Sequence, residues 1–522
     1  MDSAPPPRKE ARPAMLSPAP DVPARAGARE WAALVVLMLP VLLISVDNTV
    51  LNFALPEISR ELRPTGTQLL WMVDAYPLVL AGLLVPMGSL GDRVGRRRLL
   101  LVGSTGFAAV SALAAFAPTG EVLVAARALL GLFGSMLMPA TLSLLRNIFH
   151  DATQRRTAIA VWATGFSAGG VLGPVVGGFL LQHFWWGSVF LLAVPVLLPL
   201  LVLAPALVPE SRNPAPGPVD VPSAALIMTA MVALVHGIKD LGSHGPSAGV
   251  LAAAAVAVAA GVLFVRRQLR RPVPMLDVRL FRHPPFTGGL LNNLVASTTF
   301  IGFLFFVSQH LQLVEGMRPL DAGLALLPGA VVTILSGLLV VHVVGFVPPA
   351  LVLGGGLLVM SSGFLLVLLG DLSGGLVLVL ALMVIGLGSG AAQTIAGDLI
   401  LTEVPPEQAG AASAISETAY ELGAGLGVAV LGTAVTATYA RRVSTPPGLA
   451  PEEAATAAGT LGGAVDVAAS LDADGSGELL ASAVAAFEAG VHLSAGIGAA
   501  LLAGTAVVVA VLMRRVPRLR RR

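Results

Sequence analysis

The chain is 522 residues long, 55% apolar and 12% charged, with a formal charge of +2 and a mean hydropathy of +0.84. Soluble domains run at roughly 45–50% apolar and about 25% charged, so an ordinary soluble enzyme is excluded. Cysteine is absent, which rules out disulfides, zinc–thiolate centres and cysteine-ligated clusters.

Residues 1–30 are rich in Pro and Ala with scattered Arg, and lack the short apolar core and cleavage site of a signal peptide. They are expected to form a disordered cytoplasmic lead-in. From there, apolar stretches of about 20 residues, the length a bilayer demands, recur along nearly the whole chain. Fourteen spans are predicted, near 31–53, 69–90, 99–117, 121–145, 157–181, 186–207, 221–238, 248–265, 286–310, 320–341, 348–370, 374–400, 408–437 and 485–513. Most of the 32 Lys and Arg fall in alternate connecting segments, and the positive-inside rule then makes both termini cytoplasmic.

In the first span, Asp47 lies about sixteen residues in, roughly 24 Å from the inner end, hence in the outer half of the membrane. Asp74 lies near the outer end of the second span, beside Trp71. The second and third spans are joined by a tight hairpin carrying Gly88, Asp92, Arg93, Gly95 and Arg96–Arg98. Its arginines fix orientation, its aspartate can cap a helix or meet a neighbouring terminus, and the spacing suits a gating latch. Arg127 is the one cation buried in a span, followed by Gly131 and Gly134. An unpaired Arg in hydrocarbon is costly, so a partner carboxylate or carbonyl is expected. The choice between proton relay or gating and a purely structural pair stays open. In the fifth span, Gly169, Gly173 and Gly177 recur every four residues around Pro174. Small residues let another backbone approach closely and the proline bends the helix, a combination suited to rocking. Trp185 and Trp186, like Trp71, are predicted at outer interfaces, where belt anchoring is the default and aromatic cation binding the alternative.

Two cytoplasmic linkers, 209–221 and 266–285, flank the seventh and eighth spans, so the plan reads six spans, two inserted spans, six spans. The expected units are the half 31–207, the insertion 208–285, the half 286–513 with an external loop at 438–484, and a basic cytoplasmic tail at 514–522. That tail is expected to sit on anionic headgroups rather than on nucleic acid. Within the external loop Asp472, Asp474 and Gly475 imitate the opening of a calcium loop, but the twelfth position is Ala483, where a bidentate Glu is required; calcium is rejected. The run from Glu478 has good helix formers and is expected to lead helically into the last span. In the thirteenth span Glu417 and Glu421 are four residues apart and so share a helix face, with Tyr420 beside them. An acid inside a span is a functional hypothesis by default. Such a carboxylate can hold a proton or neutralise a cationic solute, and competition between the two couples them. The plainer reading of each acid is a salt-bridged structural residue.

These residues resemble the fourteen-span drug:proton antiporters of the major facilitator superfamily. The 88–98 hairpin looks like the superfamily's motif between its second and third helices, Val46–Pro56 like the branch's first-helix motif, and Gly169–Gly178 like the antiporter motif of the fifth span. Arg127, Gly131 and Gly134 approximate the fourth-span motif. Trp71–Tyr76, Pro274–Phe281 and Ser416–Gly423 are similar to the subgroup that exports quaternary ammonium compounds and ethidium, its actinobacterial members above all. The resemblance implies an all-α fold of two six-helix halves around a central cavity. Asp47 would then serve cations, Arg127 would be the fourth-span arginine, and Glu417 and Glu421 would be distal cavity acids. Two departures stand out. Ser416 replaces an acid of some relatives, and the segment His342–Pro349 has no Lys or Arg, so a second-half copy of the latch is absent.

The expected function is export of hydrophobic mono- or dications against proton entry, by a monomer in the cell membrane. Its partners would be lipophilic cations, protons and the bilayer, with no cofactor and no metal. The nearest alternative is a proton-coupled exporter of an endogenous metabolite or antibiotic on the same fold. A membrane enzyme or sensor would need a catalytic cluster, and the eight His are scattered. ATP-driven transport would need a phosphate-binding loop, which the chain lacks.

Overall fold

The computed structural model describes residues 26–212, 219–272, 274–344, 346–402, 404 and 409–514. The N-terminal lead-in up to residue 25, the middle of the first linker and the basic tail from residue 515 lie outside the described residues. Within them there are helices and turns and no strand.

The chain begins with α1 (Ala28–Leu62), α2 (Gly66–Val94) and α3 (Arg96–Ala114). A broken pair, α4 (Gly120–Gly134) and α5 (Leu137–Ile148), leads to α6 (Ala152–His183), a single turn α7 (Ser188–Leu191) and α8 (Ala193–Leu207). The hairpin α9 (Val221–His244) and α10 (Ala248–Arg270) follows. Next come α11 (Pro284–Gln309), which continues into a π-helical turn (His310–Val314), α12 (Pro319–Val343), α13 (Pro349–Leu369) and α14 (Leu376–Thr402). α15 (Ala409–Gly427) passes through a second π-helical turn (Val428–Gly432) into α16 (Thr433–Arg442). Two short helices, α17 (Pro451–Gly459) and α18 (Leu461–Ala468), precede the long α19 (Ala473–Leu512).

Local chemistry sets many of the boundaries. Thr65, Asp151, Ser247 and Asp472 each accept a backbone N–H at the start of α2, α6, α10 and α19, satisfying donors that a first turn leaves unpaired. Pro284, Pro319 and Pro349 occupy the first positions of α11, α12 and α13, where a missing N–H costs nothing. The acids that imitate a calcium loop are therefore a helix start: Asp472 Oδ1 accepts from Gly475 N at 3.0 Å.

Twelve stretches among the described residues are long and apolar enough to cross a membrane. α3, which opens with Arg96–Arg98, and α6 stand in the same bundle outside that group. The windows of α1, α2 and α11 are 72%, 78% and 78% buried, against 22% and 17% for α9 and α10. The first three therefore form the interior, and the α9–α10 hairpin lies at the rim with its apolar side chains facing outward, as lipid requires.

Two expectations are corrected. α1 starts at Ala28, so residues 28–30 are helical and not part of a disordered lead-in. It also runs on to Leu62, which puts Asp47 just past the helix midpoint at Ser45. The segment 438–484 is not one loop. α16 extends to Arg442, α19 begins at Ala473, and α17 and α18 fold between them.

Helices α1–α8 pack chiefly on one another, as do α11–α16 with α19. The groups meet where α1 faces α11, α2 faces α15, and α6 faces α12. Ser308 Oγ donates to the Asn52 carbonyl at 2.8 Å and Gln312 Nε2 to that of Phe53 at 3.3 Å. These contacts lie at the end of the bundle away from the 88–98 hairpin. α17 and α18 cover that end: Tyr439 donates to the Ala457 carbonyl at 2.7 Å, and Arg63 pairs with Asp466 at 2.9 Å.

Candidate functional site

The centre of the bundle is built around Arg127. A Cβ at Gly131 would lie 2.6 Å from the Tyr76 carbonyl oxygen, so α4 packs directly on the α2 backbone one turn beyond the arginine. That closeness lets Arg127 Nε donate to the Met72 carbonyl at 3.0 Å while Nη1 donates to Asp47 Oδ2 at 2.7 Å. The guanidinium carbon lies 4.5 Å from the centre of the Tyr76 ring. Arg127 thus finds both a carboxylate and a carbonyl, and these bonds offset part of the cost of removing it from water.

Across from this cluster stand the α15 acids. Cβ atoms at Gly423 and Gly427 would collide with α11 at Ser297 and at the Thr298 carbonyl, so α15 lies tightly on α11. Ser297 Oγ donates to the Tyr420 carbonyl at 2.9 Å, and Asn293 Nδ2 donates to Ser416 Oγ at 2.8 Å. Glu421 is fully buried, and its Oε1 accepts from Asn48 Nδ2 at 3.1 Å. This bond joins α1 to α15, next in sequence to Asp47. Glu421 Oε2 and Glu417 Oε1 have no hydrogen-bond partner among the described residues, nor do the side-chain amide atoms of Asn52 and Asn292. Buried polar atoms left open in this way are costly, and the cluster is equipped to accept a proton or an organic cation.

The structure thus brings Asp47, Arg127 and Glu421 into one neighbourhood, with Glu417 one helical turn from Glu421. Asp74 is not among them. It is fully buried on another face of α2 and pairs with Lys239 of α9 at 2.8 Å. Asn48, Tyr76 and Lys239 were missed by sequence reasoning. Asn48 and Tyr76 stand within the quoted motifs and could have been found there. Lys239 lies one residue beyond the expected seventh span, whereas α9 extends to His244 and carries it inside.

The hairpin between α2 and α3 closes on the chain just beyond α8. Asp92 pairs with Arg96 at 2.8 Å, Arg96 N donates to the Ser211 carbonyl at 2.9 Å, and Arg97 N donates to Glu210 Oε1 at 3.1 Å. Gly95 takes φ 111°, and a Cβ there would lie 2.8 Å from the Glu210 carboxylate. The positive φ strains any other residue there, and the Glu210 carboxylate would have to move aside. Gly88 passes the Pro139 ring at 3.6 Å from where its Cβ would be, and Arg93 lies in the same turn.

On α6, Cβ atoms at Gly169 and Gly177 would lie 2.6 Å from Ser45 and 2.7 Å from Val50, and Gly173 meets Thr49. This glycine face therefore packs on α1. Gly178 and Pro174 instead face α12: a Cβ at Gly178 would lie 2.5 Å from the Pro319 carbonyl oxygen, and Gly323 of α12 crowds the Pro174 carbonyl. Trp186 is buried and donates to Glu61 Oε2 at 2.6 Å, so it is a packed side chain and not a belt anchor. Trp185 is 42% exposed.

The sequence pattern of the Major Facilitator Superfamily matches residues 37–428. The chain belongs to the major facilitator superfamily. It is a transporter, and a multi-pass protein of the cell membrane. It is 55% identical to the multidrug efflux pump LfrA of Mycolicibacterium smegmatis, over 94% of this chain and 98% of that protein. It is 37% identical to the methyl viologen resistance protein SmvA of Salmonella typhimurium, over 85% and 90%. It is 33% identical to the tetracenomycin C resistance and export protein of Streptomyces glaucescens, over 77% and 76%. Among solved structures, a bacterial homologue of the human lysosomal transporter Spinster, inward-facing and unoccupied, matches with a TM-score of 0.64 at 15% identity, covering 94% of this chain and 98% of that one. The expected likeness to multidrug exporters, actinobacterial ones included, is what these relatives show.

Proposed function

We propose that this protein is a proton-coupled efflux pump for hydrophobic cations of the quaternary ammonium and ethidium type. In this reading it has fourteen spans and cytoplasmic termini, α3 and α6 completing the count. The observation that carries the proposal is the pair Glu417 and Glu421, of which Glu417 Oε1 and Glu421 Oε2 are buried without a hydrogen-bond partner among the described residues, opposite the Asp47–Arg127 pair. The multidrug and methyl viologen relatives support the same substrate class.

A lipophilic cation entering from the cytoplasm or inner leaflet would neutralise one of these carboxylates. Protonation of that carboxylate from the other side removes the counter-charge and releases the cation, so one site cannot hold both at once. The bodies that rock would be residues 31–207 and 286–513. Gly178 and Pro174 on α6 and Gly323 on α12 provide a close, side-chain-free contact between them, and the Asn48–Glu421 bond reports on the same interface. No cofactor enters this scheme, and a monomer suffices for it.

The test is ethidium efflux from preloaded cells, with and without a protonophore, beside an Asp47→Asn variant. Efflux that collapses in both cases is expected. A well-expressed protein that moves no ethidium would shift the assignment to a metabolite or antibiotic exporter, the class to which the Streptomyces relative points.

A further inference from the structure

Lys239 is 1% exposed on a helix whose membrane window is only 22% buried. α9 had ample lipid-facing and rim positions for a lysine, yet this one points inward. Its ammonium lies 2.8 Å from Asp74 Oδ2 and 3.7 Å from the centre of the Trp71 ring. Neither Asp74 oxygen has a hydrogen bond from any other group among the described residues. A carboxylate beside an aromatic face is the chemistry that recognises an organic cation. Here that place is held by the chain's own cation.

The place is also a seam. On α2, Leu70 lies against Gly432 and Leu78 against Gly425, so the same stretch meets the α15–α16 helix of the other group. The end of α9 is strapped to both sides: Thr67 Oγ1 and Ser243 Oγ share a hydrogen bond at 3.0 Å, and Arg441 donates to the Gly242 carbonyl at 3.2 Å. Any separation of the two helical groups at this end opens the seam beside Trp71 and Asp74.

We propose that Lys239 is a specificity-determining residue: a built-in counter-cation that occupies the Trp71–Asp74 position and withholds that carboxylate from substrate. This rests on the cation-efflux reading. With Asp74 already paired, a substrate held at the α15 acids finds no free counter-charge at the Trp71 face for a second positive group, so the lysine disfavours dications relative to monocations. The inserted hairpin thereby contributes to substrate choice and does more than fill the rim.

The test is transport by the full chain in proteoliposomes, comparing ethidium, with one fixed charge, and methyl viologen, with two. Lys239→Gln is expected to lower the KM for methyl viologen relative to ethidium by about tenfold, the effect of one desolvated cation–aromatic contact. The kcat for ethidium should stay near the wild-type value. Lys239→Arg should restore the wild-type KM ratio, and Asp74→Asn/Lys239→Gln should return to it because no free carboxylate remains beside Trp71. Since the chain has no cysteine, Lys239→Cys offers a second neutral variant, in which a thiol reagent bearing an ammonium should restore the ratio and an uncharged one should not. An unchanged ratio in either neutral variant that still moves ethidium overturns the proposal. So does a finding that neutral variants reach the membrane only together with Asp74→Asn, which would make the pair purely structural. A wild-type protein that moves neither probe overturns the functional reading, and this inference with it.

Discussion

Arg127 and Asp47 form a 2.7 Å ion pair in which the two side chains are 2% and 8% exposed, and the same guanidinium holds the Met72 carbonyl. One residue thereby ties α1, α2 and α4 together beside the acids of α15. Breaking a buried pair from one side leaves an uncompensated charge, at a cost of about 3–5 kcal/mol.

Arg127→Ala is therefore expected to lower the melting temperature of the detergent-purified protein sharply. Arg127→Lys keeps the charge, but it lacks the planar fork that reaches Asp47 and Met72 together. That variant should fold and lose most ethidium efflux. Thermal melts beside efflux rates separate the two effects, and an unchanged melt for Arg127→Ala would contradict the buried pair.

For Glu421→Gln, the Asn48 bond can be kept while the charge is lost. If a cation binds this carboxylate, the loss of a charge-assisted contact, about 1.5–3 kcal/mol, raises KM for ethidium roughly ten- to a hundredfold. Glu417→Gln, whose Oε1 has no partner among the described residues, should act in the same direction without lowering stability. Unaltered KM in both variants would remove them from the binding site.

Gly95 has a backbone only glycine adopts freely, and Glu210 fills the space where a Cβ would be. Gly95→Ala is expected to cost about 1–3 kcal/mol in thermal stability and to loosen the hold of Glu210 and Ser211 on the arginine hairpin. Glu210→Gln, which leaves the backbone alone, should loosen the hairpin with little change in the melt. Protease nicking at 92–98 reads both.

At the base of the α9–α10 hairpin, burial raises the Asp220 carboxyl, but hydrogen bonds from Ser223 and Arg267 hold it below the usual carboxylate range. A depressed folded value means that Asp220 stabilises the fold above the unfolded value of about 3.9 and loses that contribution as pH falls through the folded value. Asp220→Asn should thus be less stable than wild type at neutral pH. The difference should shrink in acid, measured as melting temperature against pH.

Much of the site could be read from the chain alone, because a charge in hydrocarbon is conspicuous against apolar neighbours. Asp47, Asp74, Arg127, Glu417 and Glu421 all stood out for that reason, and glycine spacing on α6 marked a close-packed face. Which charges pair was not readable. Asp47 and Asp74 look alike in sequence, each an acid in an early span, yet one meets Arg127 and the other Lys239. Lys239 itself escaped because an apolar window ends where its charge begins, and the helix continues past that point.

Hydrophobic length and the placement of basic residues by themselves determined that this is a helical membrane protein with its motifs on particular helices, since a bilayer permits few backbone solutions. Only the tertiary structure decided that α6 turns its glycine face to α1 while Gly178 and Pro174 meet α12, that Glu421 reaches Asn48, and that α9 delivers a lysine to α2. Those outcomes depend on how helices rotate and cross. That is set by close packing between segments hundreds of residues apart, and no local pattern encodes it.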